Sequence, residues 1–333
     1  MIDKLLLLCI ALSFSSTVLL TVWWMGAAKK AGIAGKDMNK FHHPMIPEIG
    51  GLPVLCGFLL GLLVYVGYRA IFLGTMTYLA TILAATLTIV LMAMIGMIDD
   101  ILGWKLGLKQ WQKPLFTLFA ALPMMMINAG VDTMTLPFIG VIHLGIIYPL
   151  VIVPLAIVFA ANAYNMLAGF NGLEAGQGMI ILTTLGYIAW QYENLGYVAM
   201  LAALMVASLA AFILFNWYPA KIFPGDTLNY MVGAMIAIIA ILGNVEKAAL
   251  ILFIPYIIEF FLKAKGRFKH ETFGKPEKDG TIRRPYKKVY SLTHFFMVLS
   301  SKGGKGREQT VVLSCFAVEL LLVLIVILWG LSI

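Results

Sequence analysis

Apolar runs long enough to cross ~30 Å of hydrocarbon recur along this chain from one end to the other. Ten can be delimited, at about 4–26, 49–68, 76–97, 113–129, 145–162, 176–191, 196–215, 228–243, 247–264 and 309–331. Few chains could carry so many in water. Only 12% of the residues are charged, where a soluble domain would hold about 25%. The expected fold is all-α: a polytopic integral membrane protein of about ten transmembrane helices, forming a single catalytic domain over 1–333. The first run is near twenty residues, longer than the roughly 7–15 of a cleaved signal segment, and reads as the first transmembrane helix. Pro149, Pro154 and Pro255 interrupt later runs. Such breaks are tolerated where protein or a wet cavity satisfies the freed backbone. The longest polar stretch, 263–307, reads as a basic cytosolic loop too short and too basic to bury a core of its own. Cys9, Cys56 and Cys315 lie far apart inside apolar runs and read as small buried side chains rather than metal ligands.

Charge sets the orientation. With loops numbered alternately, one side of the membrane holds 21 of the 24 Lys and Arg, thirteen of them in 263–307. The other side holds only Lys4, Arg69 and Lys247. The positive-inside rule puts the crowded side in the cytosol and both termini outside. Asp37, Glu48, Asp99, Asp100, Glu174 and Asp226 fall on the same side. The external loops read as plain connections. Any chemistry is therefore expected at the cytosolic face.

Five constellations stand out there. Asp99 and Asp100 end the third apolar run. Acids at that depth are costly and point to function, and at a helix C-terminus they oppose the macrodipole. Neighbours on a helix point about 100° apart, so the two can serve different partners. After the fifth run comes Asn162-Ala-Tyr-Asn165-Met-Leu-Ala-Gly-Phe-Asn171-Gly-Leu-Glu174. Asn162 and Asn165 share a helical face, and carboxamides offer oxygen to a hard cation or NH₂ to phosphate and sugar. Between the seventh and eighth runs lies Asn216-Trp-Tyr-Pro-Ala-Lys-Ile-Phe223-Pro-Gly-Asp226. Asp226 reads either as a cap of the next helix or as the leading cation ligand, with Asn165 second. Arg267, Lys269 and His270 follow the ninth run and suit a pyrophosphate clamp. Arg283, Arg284, Lys287 and Lys288 suit anionic lipid heads instead. The fifth group, Lys36-Asp-Met38-Asn39-Lys40 with His42, His43 and Glu48, would alone be a solvated loop.

Carboxylates with an Asn oxygen suit Mg²⁺, with Mn²⁺ as a substitute, better than zinc. Cations and glycines beside them suggest phosphoryl transfer by positioning and charge neutralisation. No G-x-x-x-x-G-K-[ST] string is present, which argues against an ATP motor. A site at the membrane surface implies a lipid substrate. The rival class, a transporter of a nucleotide sugar or lipid-linked sugar, would need polar residues through the middle of several helices, and few are found. No nucleic-acid partner is expected; a homodimer is compatible with the pattern.

The strings from Asn162 to Gln177 (N-A-Y-N-M-L-A-G-F-N-G-L-E-A-G-Q), Asp99-Asp100, Asn216-Trp-Tyr-Pro, Phe223-x-Gly225-Asp226, Asp37-Met-Asn-Lys40 and Ile46-Pro-Glu48 resemble those of the polyprenyl-phosphate N-acetylhexosamine-1-phosphate transferases. The similarity is to the dolichyl-phosphate N-acetylglucosaminephosphotransferase branch of archaea and eukaryotes. It implies transfer of N-acetylglucosamine-1-phosphate from UDP-GlcNAc to a polyprenyl or dolichyl phosphate, the first membrane step of lipid-linked glycan assembly. Another UDP-N-acetylhexosamine or a MurNAc-type donor is the alternative within the family. The resemblance implies Mg²⁺ on Asp226 and Asn165, and Phe223 stacked on uracil with Asn171 and Met38 beside it. Asp99 or Asp100 would serve the lipid phosphate. Lys113 would contact phosphate, though Lys105 and Lys109 compete for that assignment. Arg267 and Lys269 would reach pyrophosphate and sugar. Asn39, Glu48, Asn162 and His270 complete the expected substrate contacts. The implied location is the cell membrane, or the endoplasmic reticulum in a eukaryote.

Overall fold

The computed structural model describes residues 3–74, 77–136, 140–299 and 305–330. Helices dominate, as runs of Leu, Ile, Ala and Met with every backbone polar group bonded internally must in lipid. Their order is α1 (Lys4–Ala31), α2 (Gly51–Phe72), α3 (Leu79–Leu106), α4 (Gln112–Ala120), α5 (Leu122–Met126), α6 (Val153–Met166), α7 (Leu173–Gln191), α8 (Gly196–Asn216), α9 (Gly225–Leu242), α10 (Glu246–Leu252), α11 (Ile254–Lys265), α12 (Leu292–Leu299) and α13 (Glu308–Gly330). A π-helical turn at Tyr148–Ile152 leads into α6. Among the described residues seven helices are long and apolar enough to cross a membrane: α1, α2, α3, Tyr148–Met166, α8, α9 and α13. The other three expected spans differ for physical reasons. The run at 113–129 is split into α4 and α5, and that at 247–264 into α10 and α11, each second piece starting beside a proline. Helix α7 carries Glu174 and Gln177, which it buries in protein.

Helix α9 is the axis of the bundle. Almost every residue from Thr227 to Leu242 is buried, and α9 packs against α2, α3, α6 and α7. In a membrane such packing rests on van der Waals contact and close backbone approach, which favours small residues. Two glycines meet that need at the start of α9. A Cβ on Gly51 of α2 would lie 2.3 Å from the Leu228 nitrogen, and one on Gly96 of α3 would lie 2.4 Å from the Asp226 carbonyl oxygen. The first turn of α9 is therefore wedged between two helices.

Short pieces of sheet dress both ends. Strand β1 (Ala34–Lys36) pairs antiparallel with β2 (Met45–Pro47), Ala34 opposite Pro47. The segment after β2 is laced to the loop before α9: Phe223 N donates to Pro47 O (2.8 Å), Gly50 N to Phe223 O (2.9 Å) and Gly51 N to Pro224 O (2.9 Å). A hairpin of β3 (Thr133–Leu136) and β4 (Gly140–His143) occupies a loop expected to be a plain connection.

The stretch 263–307, expected as a basic loop without a core of its own, packs on the bundle. Its described part is a folded cap in which β5 (Lys275–Pro276), β6 (Ile282–Arg283) and β7 (Lys305–Gly306) form a small sheet beside α12. Ile282, Phe296 and Met297 are buried there. The basic composition hid three well-spaced apolar anchors, and the bundle supplies the surface they cannot supply alone. Cysteine was also misjudged at one position: Cys9 and Cys315 are buried, but Cys56 is exposed on the outer face of α2, where a lipid environment suits a small apolar thiol equally well.

Candidate active site

Helix ends from five separate parts of the chain surround a cavity of about 1080 Å³ at one end of the bundle. Met38, Glu48, Asp100, Lys113, Asn162, Asn165, Asn171, Phe223, Asp226, Lys269 and His270 all line it. Three expected residues do not. Asp99 stands behind Lys113. Asn39 is buried, donating to Gly169 O (2.9 Å) and accepting from Gly274 N (2.9 Å), so it ties loops together. Arg267 is exposed and lies outside the cavity that Phe268, Lys269 and His270 line; its backbone and that of Phe268 are left-handed (φ 53° and 57°).

The acids at the end of α3 have different partners. Asp100 accepts from Asp226 N (2.8 Å), Thr227 N (3.0 Å) and Thr227 Oγ1 (2.6 Å). Those are the free amides of the first turn of α9, so Asp100 caps a neighbouring helix. Its charge opposes the dipole of its own helix but favours that of α9. Asp226 is therefore not the cap; it is the residue displayed by the capped turn. Gly225, left-handed at φ 73°, makes the approach feasible, because a Cβ there would sit 2.4 Å from the Asp100 carboxylate.

Asp99 accepts from Leu108 N (2.5 Å) and pairs with Lys113 Nζ (2.6 Å). Lys113 Nζ also lies 2.8 Å from Asp226 Oδ2 and 5.8 Å from the Tyr230 ring centre. Of the three candidate lysines, Lys113 is the one in the cavity; Lys109 is exposed, and the Lys105 side chain lies outside the described residues. The non-helical Gly103 (φ 66°) kinks α3 just after its two acids, and Gly107 N closes on Gly103 O (2.7 Å). The chain is thereby brought back for α4 to present Lys113.

The carboxamides come from α6, α8, α9 and the turn between α6 and α7. Asn165 Oδ1 accepts from Asn229 Nδ2 (2.8 Å). Asn162 Nδ2 donates to Thr117 Oγ1 (3.0 Å) and Val158 O (2.8 Å). Glu174 Oε1 accepts from Gly169 N (2.6 Å) and shapes the turn between α6 and α7. Asn216 Oδ1 accepts from Gly172 N (3.1 Å) while its Nδ2 reaches Ile222 O (2.9 Å). The Asn171 carboxamide sits among Asp37, Lys40 and Ala220, and its backbone N donates to Glu308 Oε1 (2.9 Å). Lys40 is neutralised by Glu308 and by Asp37 (3.3 Å). Glu48, outside the membrane spans, has its carboxyl pKa raised by burial and then by the Asp226 carboxylate. In the cap, His270 stacks on Tyr290 (3.9 Å between centres), and Thr272 Oγ1 donates to Ala168 O (2.7 Å).

Sequence reasoning passed over several of these. Asn229 follows Asp226 by three residues in an otherwise apolar helix, and that spacing was the signal available. Glu308 acts through the backbone amide of Asn171, distant in sequence, which no local pattern announces. Asn216 stands at the head of its motif, but its hold on Gly172 N was not legible there. Among the described residues no cluster of three His, Cys, Asp or Glu side chains forms a metal site. Of the cavity's carboxylates Asp100 is spent on the α9 amides, and Asp226 stands in the same helix as the carboxamide of Asn229, which bonds that of Asn165. Asn229 Oδ1 is buried with no hydrogen-bond partner among the described residues. An all-oxygen set of this kind fits a hard divalent cation.

The model of glycosyl transferase family 4 matches residues 82–244, which hold Asp99 through Asp226. A Saccharolobus solfataricus protein provisionally named UDP-N-acetylglucosamine–dolichyl-phosphate N-acetylglucosaminephosphotransferase is 37% identical, over 97% of this chain and 96% of its own length. A Sulfolobus acidocaldarius protein with the same provisional name is 34% identical, over 97% and 95%. The Dictyostelium discoideum protein of that name is 29% identical, over 69% of this chain and 64% of its own. With end-to-end relatives of that identity, and Asp100, Lys113, Asn162, Asn165, Phe223 and Asp226 of the matched region set around one cavity, the chain belongs to glycosyl transferase family 4, in the group that holds the dolichyl-phosphate N-acetylglucosaminephosphotransferases.

Proposed function

We propose that this membrane protein transfers N-acetylglucosamine-1-phosphate from UDP-N-acetylglucosamine to a polyprenyl phosphate of the dolichyl type, releasing UMP. The observation that carries the reading is the meeting of Lys113, Asp226 and Asn165 at a cavity formed by the ends of apolar helices, with Asp99 holding Lys113 from behind. A soluble diphosphate donor and a lipid acceptor can both reach such a place. The names of the relatives supply the sugar and the lipid. The excess of Lys and Arg on that side supports a cytosolic location.

The residues divide the work by chemistry. Asp226 and Asn165 would hold Mg²⁺, which supplies charge neutralisation on the pyrophosphate when bound. Lys113, fixed between two acids, keeps Asp226 in place and presents a positive charge to the phosphates. Phe223 offers a ring for the uracil, with Met38 and Asn171 on the same wall. Lys269 and His270, carried by the cap, face the sugar side. An oxygen of the lipid phosphate forms the new bond to the sugar-bearing phosphorus, and the bond from that phosphorus to the bridging oxygen breaks, leaving UMP. A phosphate monoester has its second pKa near ~6, so the attacking group is already ionised at neutral pH. Asp99 and Asp100, both occupied in holding Lys113 and α9, are then positioning residues rather than bases.

The test is incubation of purified protein with a panel of UDP sugars and polyprenyl phosphates, with products identified by mass spectrometry. N-acetylglucosamine-pyrophosphoryl lipid with stoichiometric UMP is expected. Uptake of UDP sugar into vesicles without UMP formation would replace this reading with transport.

A further inference from the structure

Asn229 is buried in α9 with 3% of its surface exposed, yet it lines the cavity. It lies three residues after Asp226, on the same face of the helix. Its Nδ2 donates to Asn165 Oδ1 at 2.8 Å, while its own Oδ1 has no partner among the described residues. A buried carbonyl oxygen left unpaired costs about 1–3 kcal/mol. A folded bundle retains such an arrangement where something else completes it.

We infer that Asn229 is a positioning residue of the divalent-cation site: its amide fixes which way the Asn165 carboxamide oxygen points. The inference rests on the cation role of Asp226 and Asn165 proposed above. A carboxamide can turn over, exchanging its oxygen for an NH₂ that repels a cation. The hydrogen bond from Asn229 selects the orientation with oxygen at the junction of α6 and α9. The unpaired Oδ1 remains as an acceptor for a water carried by the cation, since Mg²⁺ keeps several of its waters. Residues that orient metal ligands are worth about 10- to 100-fold in metal affinity when removed. The cation site is thereby built from both ends of one helical turn: Asp226 as ligand and Asn229 as the brace of the second ligand.

The experiment uses the full-length protein in detergent or nanodiscs and titrates Mn²⁺ by electron paramagnetic resonance, without substrate. Asn229→Leu keeps the branched shape, though it is bulkier, and removes the donor; Asn229→Ala removes the donor without crowding. The expected result is a Mn²⁺ Kd raised about 10-fold or more in each folded variant. The KM for the metal should rise in parallel, while the KM for the nucleotide sugar at saturating metal and the Tm without metal stay near wild type. Unchanged Mn²⁺ affinity in either folded variant would overturn the role. A lower Tm with unchanged Mn²⁺ affinity would make Asn229 a packing residue and overturn it equally. If wild type binds no Mn²⁺ while Asn165→Ala and Asp226→Ala leave UMP release intact, the cation reading itself falls, and this role with it.

Discussion

Lys113 stands between acids from two different helices, its Nζ 2.6 Å from Asp99 Oδ2 and 2.8 Å from Asp226 Oδ2. The first acid closes α3 and the second opens α9, so one ammonium group bridges the two helix ends that frame the cavity. Removing it leaves two carboxylates facing each other without compensation and takes a positive charge from the phosphate site. Lys113→Met is expected to lower kcat for UMP release by about 10²- to 10³-fold. Lys113→Arg should recover little, because a planar fork cannot reproduce a compact point charge between two acids. Activity within a few-fold of wild type in Lys113→Met would remove the lysine from the machinery.

Asp100 makes a different prediction from that of a catalytic base. Its oxygens are spent on two backbone amides and one hydroxyl of α9. Asp100→Ala should therefore lower stability by about 0.5–2 kcal/mol, the range for a lost helix cap, and displace Asp226. Thermal unfolding and kcat should fall together, while the shape of the pH–rate profile persists. Loss of one limb of that profile, with Tm unchanged, would instead identify Asp100 as the group that takes the proton.

Gly225 tests the same junction from the backbone. Its φ of 73° and the 2.4 Å separation expected between a Cβ and Asp100 both exclude a side chain. Gly225→Ala is expected to cost about 1–2 kcal/mol from the left-handed conformation alone, with a further loss of activity as Asp100 is pushed from the α9 amides. Gly67→Ala in α2 is the control, since a Cβ there meets nothing within 4 Å. Gly67→Ala should be neutral or slightly stabilising in the helix interior. Equal effects of the two substitutions on Tm would contradict the junction.

The folded cap carries a pH prediction. His294 is buried in α12, and its Nδ1 accepts from Tyr290 N (3.4 Å). Burial, and then the Lys263 charge, hold its pKa down to about 4. An unfolded histidine titrates near ~6.5. Between those values the opened cap binds a proton that the closed cap does not. This contribution is fully present above about pH 6.5 and is lost as the pH falls toward 4. Hydrogen exchange of the amides in 272–299 should show easier opening at pH 5 than at pH 7, after correction for intrinsic rates. His294→Gln should flatten that difference; an unchanged difference would assign it to another group.

Much of the fold was legible because apolar length and charge asymmetry are properties of contiguous residues. The helices at 4–31, 51–72 and 308–330 fall where hydropathy places them. The site was legible as residue types, since paired acids and asparagines at membrane depth are expensive without a purpose. What the sequence hid was pairing across distance. Asp100 caps a helix that begins 125 residues later, at Gly225, and Glu308 holds the backbone of Asn171. No spacing rule reaches that far. The cap over 263–307 was hidden for another reason: its core of Ile282, Phe296 and Met297 is too sparse to register as a periodic pattern until the bundle is present to complete it.

The most direct test follows the β-phosphorus of the donor. Purified protein is given dolichyl phosphate, Mg²⁺ and UDP-N-acetylglucosamine labelled in the β-phosphate, and the label is traced between lipid and nucleotide. Sugar-phosphate transfer at the Asp226–Lys113 cavity predicts label in the lipid pyrophosphate and unlabelled UMP in solution, with both lost in Asp226→Ala. Label retained in released UDP, with sugar alone on the lipid, would contradict it.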